Sequence, residues 1–160
     1  MRVEPGSPTD AGTLARLNPY VHDLHLEHAA HFFGSPSRAE AAAAFEELLR
    51  GDNYRAFLAY IEDRAVGYVL VSVGKRPASA FNRPRRWLYI DQICVEPGAR
   101  RRGVGRALVS AVLRHAVETG IDDVEVDTWV FNDHAQAFFA SLGFQAKTLR
   151  SWLTLRRDES

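Results

Sequence analysis

The spacing of apolar residues changes several times along the chain, from helical to strand-like and back, and those changes predict the elements. Residues 2–4 read as a short first strand. Ser7-Pro8-Thr9-Asp10 is a helix start, with the helix running to about Leu17. Residues 20–33 are helical again. Residues 36–50 form a third helix, rich in alanine and closed by Gly51. The period then shortens: Tyr54–Ile61 and 66–73 are rich in aromatic and β-branched residues and read as strands. Glu62-Asp63-Arg64-Ala65 between them fits a hairpin turn, so the pair is antiparallel.

Residues 75–86 contain two prolines and read as a loop, and 87–95 is a long strand that carries Asp91 and Gln92 among apolar residues. Val104, Leu108, Val109, Val112, Leu113 and Val117 repeat at helical spacing within a helix over 103–119, which Gly120 stops. A strand over 124–130 follows. Asn132-Asp133 caps a helix over 134–142 that ends at Gly143. Residues 144–147 and 149–156 read as two last strands. The predicted class is therefore α/β (α+β): a mixed, mostly antiparallel sheet with helices on both faces and one β-α-β crossover.

Composition narrows the function classes. With 160 residues the chain is expected to form one domain, 1–160, with a real core. Its net charge of zero predicts no nucleic-acid or other polyanionic partner for the chain as a whole. Charge is uneven, however: segment 75–86 holds Lys75, Arg76, Arg83, Arg85 and Arg86 and no acid. The single cysteine, Cys94, excludes an internal disulfide and a cysteine-rich metal site. No stretch is long and apolar enough to span a membrane, and the first ten residues lack a signal-peptide core, so a cytoplasmic protein is expected. His22, His25, His28 and His31 recur every three residues, but on a helix each such step turns back by about 60°, so four of them cannot converge on a metal.

The stretch with the most chemistry is Val95–Arg106, a strand that runs through a turn into a helix. Arg100, Gly103 and Gly105 form R-x-x-G-x-G there. Glycines at a helix start leave uncrowded backbone N–H groups, and these together with the helix dipole favour a phosphate or pyrophosphate. No Walker string is present. A dinucleotide fingerprint fails because Leu108 stands where the third small residue belongs and because the loop lies past mid-chain.

The chain resembles the GNAT superfamily of N-acetyltransferases. The residues that carry the resemblance are Val95-x-Pro97-x-x-Arg100-x-x-Gly103-x-Gly105, then Asn132-x-x-Ala135-x-x-Phe138-Phe139-x-x-x-Gly143-Phe144. The resemblance implies the GNAT fold and acetyl-CoA as co-substrate. It implies that Arg100, Arg101, Arg102, Gly103, Val104, Gly105 and Arg106 surround the pyrophosphate, and that the main chain of Ile93, Cys94 and Val95 pairs with the pantetheine arm. Asn132, Ala135, Phe138 and Phe139 would border the same arm. A homodimer is common in the family, and no metal is implied.

The expected reaction is transfer of an acetyl group to a primary amine by direct attack in a ternary complex. A free amine has a pKa of about 10 and needs a base at neutral pH. Asp91 is the candidate, because an acid at this place in the family often serves as base, commonly through water; Glu96 is the runner-up. A main-chain N–H near Ile93 or Cys94 would meet the oxyanion, where a bulge splays this strand in the family. The family's usual tyrosine acid is replaced by Phe139, which leaves Tyr89 as a weak candidate acid, or no acid at all, since a thiol of pKa about 8.5 leaves tolerably as its anion. His25, Glu27 and Trp129 are the candidate acceptor contacts. In the family the loop before the long strand closes over substrate, so the arginines of 75–86 suit an acceptor that bears a carboxylate or phosphate. The alternative is a non-catalytic acetyl-CoA-binding sensor or scaffold, and a nucleic-acid role for the basic loop is a third reading.

Overall fold

In the computed structural model residues 1–155 are described. By their contacts they divide into two compact units, Met1–Asp127 and a second that begins at Thr128. In the first unit a five-stranded sheet has the order β1-β2-β3-β4-β5. The strands are β1 (Arg2–Pro5), β2 (Tyr54–Ile61), β3 (Arg64–Arg76), β4 (Arg85–Val95) and β5 (Asp123–Val126). The first four pair antiparallel, and β5 joins β4 in parallel after the crossover through a helix. The sheet is mixed and mostly antiparallel, as the sequence predicts.

Three helices precede the sheet's main run: α1 (Ala11–Leu17), α2 (Pro19–Ala29) and α3 (Arg38–Arg50). The start of α3 is fixed by a capping box in which the Ser37 hydroxyl accepts from Glu40 N at 3.2 Å and the Glu40 carboxylate accepts from Ser37 N at 2.7 Å. Leu14, Leu17, Phe45 and Leu49 pack with Ala56, Leu58, Tyr68, Leu70 and Cys94 to form the core on this face of the sheet. Each such apolar side chain contributes roughly 1.5–3 kcal/mol by leaving water. The other face meets α4 (Val104–Glu118), whose Val104, Leu108, Val109 and Val112 are fully buried. Gly67 and Val69 of β3 alternate with Tyr68 and Leu70, and Gly67 lies directly under Leu108 and Val104. Helices therefore cover both faces, as expected.

Three expectations are corrected. First, Lys75, Arg76, Arg85 and Arg86 lie in strands, not in a loop: β3 and β4 run two to three residues further than the prolines suggested, and only 77–84 is loop. Pro77 and Pro84 mark where the ladder ends, because neither can donate to it. Second, β5 stops at Val126 instead of continuing to 130, because its partner strand diverts at the next residue, as described below. Third, no strand forms over 144–155, and residue 156 of the expected last strand lies outside the described residues. Leu149, Leu153 and Leu155 are all about 80% exposed there. Alternating apolar residues signal a strand only when a partner supplies the ladder, and none does so among the described residues.

The second unit contains α5 (Asp133–Ser141). Asn132 caps it, with the side-chain oxygen accepting from Ala135 N at 3.0 Å.

Gly67 sets how closely β3 and β4 approach: a Cβ there would sit 2.6 Å from the carbonyl oxygen of Cys94. Gly67→Ala is expected to lower unfolding free energy by about 2 kcal/mol through overpacking against backbone, read as a lower urea midpoint at unchanged m value. A midpoint equal to that of the native chain would contradict this packing.

Candidate active site

The site is built around one irregularity in β4. Gln92 pairs with Leu70 and Ile90 pairs with Val71, so Asp91 has no partner of its own in the ladder with β3. One extra residue inverts the alternation of a strand. Before the bulge, Leu88 and Ile90 point at α4 with their partners Val73 and Val71, and Tyr89 points to the opposite face with Ser72. After it, Gln92 and Cys94 turn to the α1/α3 face with Leu70 and Tyr68, and Ile93 turns to α4 with Val69. The bulge that the resemblance implies is present, and Asp91 is its extra residue.

The bulge also ends the pairing with β5. That ladder covers Trp87↔Asp123 to Ile90↔Val126 and stops. Beyond Asp91 the outer edge of β4 has no strand partner among the described residues. Glu96 N donates to Val66 O across the β3 side, so by alternation Ile93 and Val95 present their N–H and C=O groups to the free edge. Cys94 presents its own to β3, so of the two expected oxyanion donors only the Ile93 N–H faces outward. The Val95 carbonyl accepts from Arg100 Nε at 3.0 Å.

Asp91 is exposed, yet its neighbours withdraw enough water from the carboxyl to raise its pKa above the ordinary aspartate value. Hydrogen bonds from the Ser72 side chain and from its own backbone oppose that rise. Such a carboxyl holds a proton more readily than a free aspartate, which suits a base. Tyr89 lies on the same face two residues away, opposite Ser72. Glu96 is occupied elsewhere: it accepts from Arg64 at 2.6 Å, with Arg16 4.0 Å from its other oxygen.

A buried polar cluster that the sequence reading missed fixes the strand just past the bulge. The Asn18 amide donates to Tyr68 Oη and to Gln92 Oε1, both at 3.1 Å, and the Tyr68 hydroxyl donates to Gln92 Oε1 at 2.6 Å. Asn18 sits at the junction of α1 and α2, so the cluster ties that corner to β4. Polar Gln92 between Ile90 and Cys94 was the available signal. Cys94 itself donates to the Leu17 carbonyl at 3.1 Å, and burial pushes its thiol up to about 12. It is a buried packing residue and not a nucleophile.

Downstream, Pro97–Ala99 form a single 3₁₀ turn and α4 begins at Val104. Arg101 (φ 61°) and Gly103 (φ 79°) both take the left-handed conformation. No side chain caps α4, and the first helical turn closes with Ala107 N donating to Gly103 O. The amides of Val104, Gly105 and Arg106 come before that first bond and have no intrahelical acceptor, and Arg100, Arg101, Arg102 and Arg106 flank them in sequence. Arg101 has a Cβ, so its conformation carries a strain of roughly 1–2 kcal/mol, a feature common at ligand-binding loops. This chemistry fits a pyrophosphate.

The remaining expected site residues fall elsewhere. His25 stacks on Phe33 at 5.0 Å, and its pKa is lowered by burial and by His22, while Glu27 is exposed. A hollow of about 330 Å³ lined by Arg16, Asn18, His22 and Asp23 lies beside α2 and does not include Asp91. No group of three or more metal-binding side chains occurs among the described residues. In the second unit Trp129 stacks on Phe131 at 5.6 Å, and Phe138, Phe139 and Phe144 form a run of edge-on ring contacts.

These features were compared with known proteins. The model of the Acetyltransferase (GNAT) family matches residues 21–144. Aminoglycoside N(6')-acetyltransferase type 1 of Salmonella enteritidis is 29% identical over 130 residues, covering 78% of this chain and 88% of that protein. The [ribosomal protein bS18]-alanine N-acetyltransferase of Escherichia coli K12 is 25% identical over 126 residues, covering 79% and 74%. Among solved structures, a mutant of the BH1408 protein of Bacillus halodurans superposes with a TM-score of 0.90 at 25% identity, covering 98% of this chain and all of that one. Aminoglycoside N-acetyltransferase AAC(6')-Iy in complex with CoA superposes at 0.73 with 24% identity, covering 98% and 94%, a likeness of fold. A strand that bulges at an acid, opens its edge and leads into an arginine–glycine loop at a helix start is thus the centre of a chain that belongs to the Acetyltransferase (GNAT) family, and it is an N-acetyltransferase.

Proposed function

We propose that Asp91 is the general base for acetylation of a primary amine from acetyl-CoA, and that residues 101–106 and the free edge at Ile93 and Val95 hold the donor. The observation that carries this reading is the bulge, because one residue both presents the carboxyl and opens the adjacent edge. Bound acetyl-CoA supplies the acetyl group as a thioester. The amides of Val104, Gly105 and Arg106 take the pyrophosphate, and the Ile93 C=O and Val95 N–H align the extended arm as a neighbouring strand would. Asp91 accepts the amine proton, directly or through one water, as nitrogen bonds to the carbonyl carbon. The Ile93 N–H stabilises the charge that develops on oxygen. The carbon–sulfur bond then breaks and the sulfur leaves as thiolate, which takes its proton from solvent. Phe139 has no proton to give, and a leaving thiol of pKa about 8.5 requires none. A purely sensory role is the weaker reading, since a scaffold has no use for a carboxylate set at the bulge beside the open edge.

The base reading has a pH signature. Asp91 works only when ionised, so kcat/KM is expected to fall as pH falls through its raised pKa, above the range of a free aspartate. Asp91→Asn removes that limb and lowers kcat by about 10²–10⁴-fold in a thiol-release assay. The folded chain binds this proton more tightly than the unfolded chain does, so ionised Asp91 works against the folded state at neutral pH. The melting temperature of Asp91→Asn is therefore expected to stay level or rise while activity is lost. A variant that keeps its rate sinks the assignment.

The loop reading is tested at Gly103. A Cβ there meets no atom within 4 Å, so Gly103→Ala acts only through the left-handed backbone and the space above the amides. It is expected to cost about 1 kcal/mol in urea unfolding and to weaken CoA binding at least tenfold by calorimetry. Unchanged affinity would place the pyrophosphate elsewhere.

A further inference from the structure

The face of β3 and β4 that carries Asp91 continues away from the bulge as an ordered row. Register and alternation put Ser72, Gly74 and Arg76 of β3 on one face, opposite Tyr89, Trp87 and Arg85 of β4. Trp87 lies flat across Gly74: any Cβ at Gly74 would collide with Cε2 and Cζ2 of the indole. The Arg85 guanidinium sits 4.8 Å above the Trp87 ring and is held by Asp123 at 2.9 Å and by Glu125 of β5. Trp87 is therefore a fixed, half-buried platform between two more exposed ends, Asp91 and Arg76.

On β3 and on β4 before Asp91 the row carries only basic charge, and the acids beside it, Asp123 and Glu125, belong to β5. No acidic residue occurs from Arg64 to Ile90. Arg76 stands directly opposite Arg85, a like-charge pair that weakens a sheet unless something offsets it. The carboxylates of β5 offset Arg85. Nothing offsets Arg76, which is exposed and makes no hydrogen bond or ion pair among the described residues. The free cation of the row is thus Arg76 on β3, while Arg85, expected from the sequence to meet substrate, is engaged internally.

We infer that this row is the acceptor track, and that it selects a peptide amino terminus whose chain runs in extended form over Trp87 and carries an anionic group opposite Arg76. The inference rests on Asp91 receiving the amine. At about 3.3 Å per residue, Arg76 lies about 15–20 Å along the strands from Asp91, which an extended acceptor spans in about five residues. A polycationic acceptor would instead bring its charges against Arg76, while the acids of β5 beside the row, Asp123 and Glu125, are already engaged by Arg85.

The test uses six-residue peptides with free amino ends that differ only at the fifth residue: glutamate, phosphoserine, glutamine or lysine. Acetylation is followed by thiol release and by mass of the product. The glutamate and phosphoserine peptides are expected to exceed glutamine by tenfold or more in kcat/KM, with lysine lowest and the spread shrinking as salt rises. Preference for phosphoserine over glutamate would identify phosphate as the group selected. Arg76→Glu is expected to reverse the order of glutamate and lysine. Equal rates across the series, an order that survives Arg76→Glu, or peptides left untouched by an enzyme that acetylates polyamines each overturn the inference. The two readings fail separately: an Asp91→Asn variant with full rate removes the base but leaves a charge preference standing.

Discussion

Most of the functional arrangement depends on one surplus residue in β4. Without Asp91 as a bulge, the strand would keep a single alternation from Arg85 to Val95. Gln92 and Cys94 would then point at α4, and Ile93 at the α1/α3 core. Neither packs: Gln92 would lose its partners Asn18 and Tyr68, and Cys94 its bond to the Leu17 carbonyl. An unpaired buried amide costs about 1–3 kcal/mol. The polar cluster and the bulge therefore specify each other, and the core on one face enforces the geometry of the reactive edge.

The bulge also divides the labour of β4. Upstream, the strand is paired on both sides and supplies a rigid face that carries Tyr89, Trp87 and Arg85. Downstream, among the described residues, it is paired only with β3 and offers backbone groups at its open edge. The loop to α4 follows at once, so the amides at the start of α4 lie in sequence with the open edge. On the proposed reading donor and acceptor occupy opposite ends of one strand, with the carboxyl at the join.

The order of elements up to α5 was legible because each switches hydrophobic period sharply and carries its own start or stop: Ser37 and Gly51 around α3, Gly103 and Gly120 around α4. The arginine–glycine loop was legible because its chemistry is local. The parity change at Asp91 was not. An alternating pattern interrupted by polar residues reads the same with or without an extra residue, and only the ladder with β3 shows which one is unpaired. The Asn18–Tyr68–Gln92 cluster joins residues 74 positions apart, beyond any local pattern. The prolines at 77 and 84 misled because they mark where a ladder must stop and not where it begins to fail. Residues 144–155 misled for the converse reason, since an alternating side-chain pattern supplies no backbone partner.

An unpaired strand edge invites other chains as readily as it invites a ligand, and natural sheets guard such edges against mutual aggregation. In this protein the open stretch is only about four residues long, too short to template a stable foreign ladder. It is bracketed by the charge of Asp91 at one end and by Arg100 at the other, whose guanidinium already holds the Val95 carbonyl. A second β-strand would have to displace that arginine and bury that carboxylate, whereas a narrow polar chain need do neither. The same few residues thus oppose pairing with a second strand while leaving one slot of backbone unclaimed.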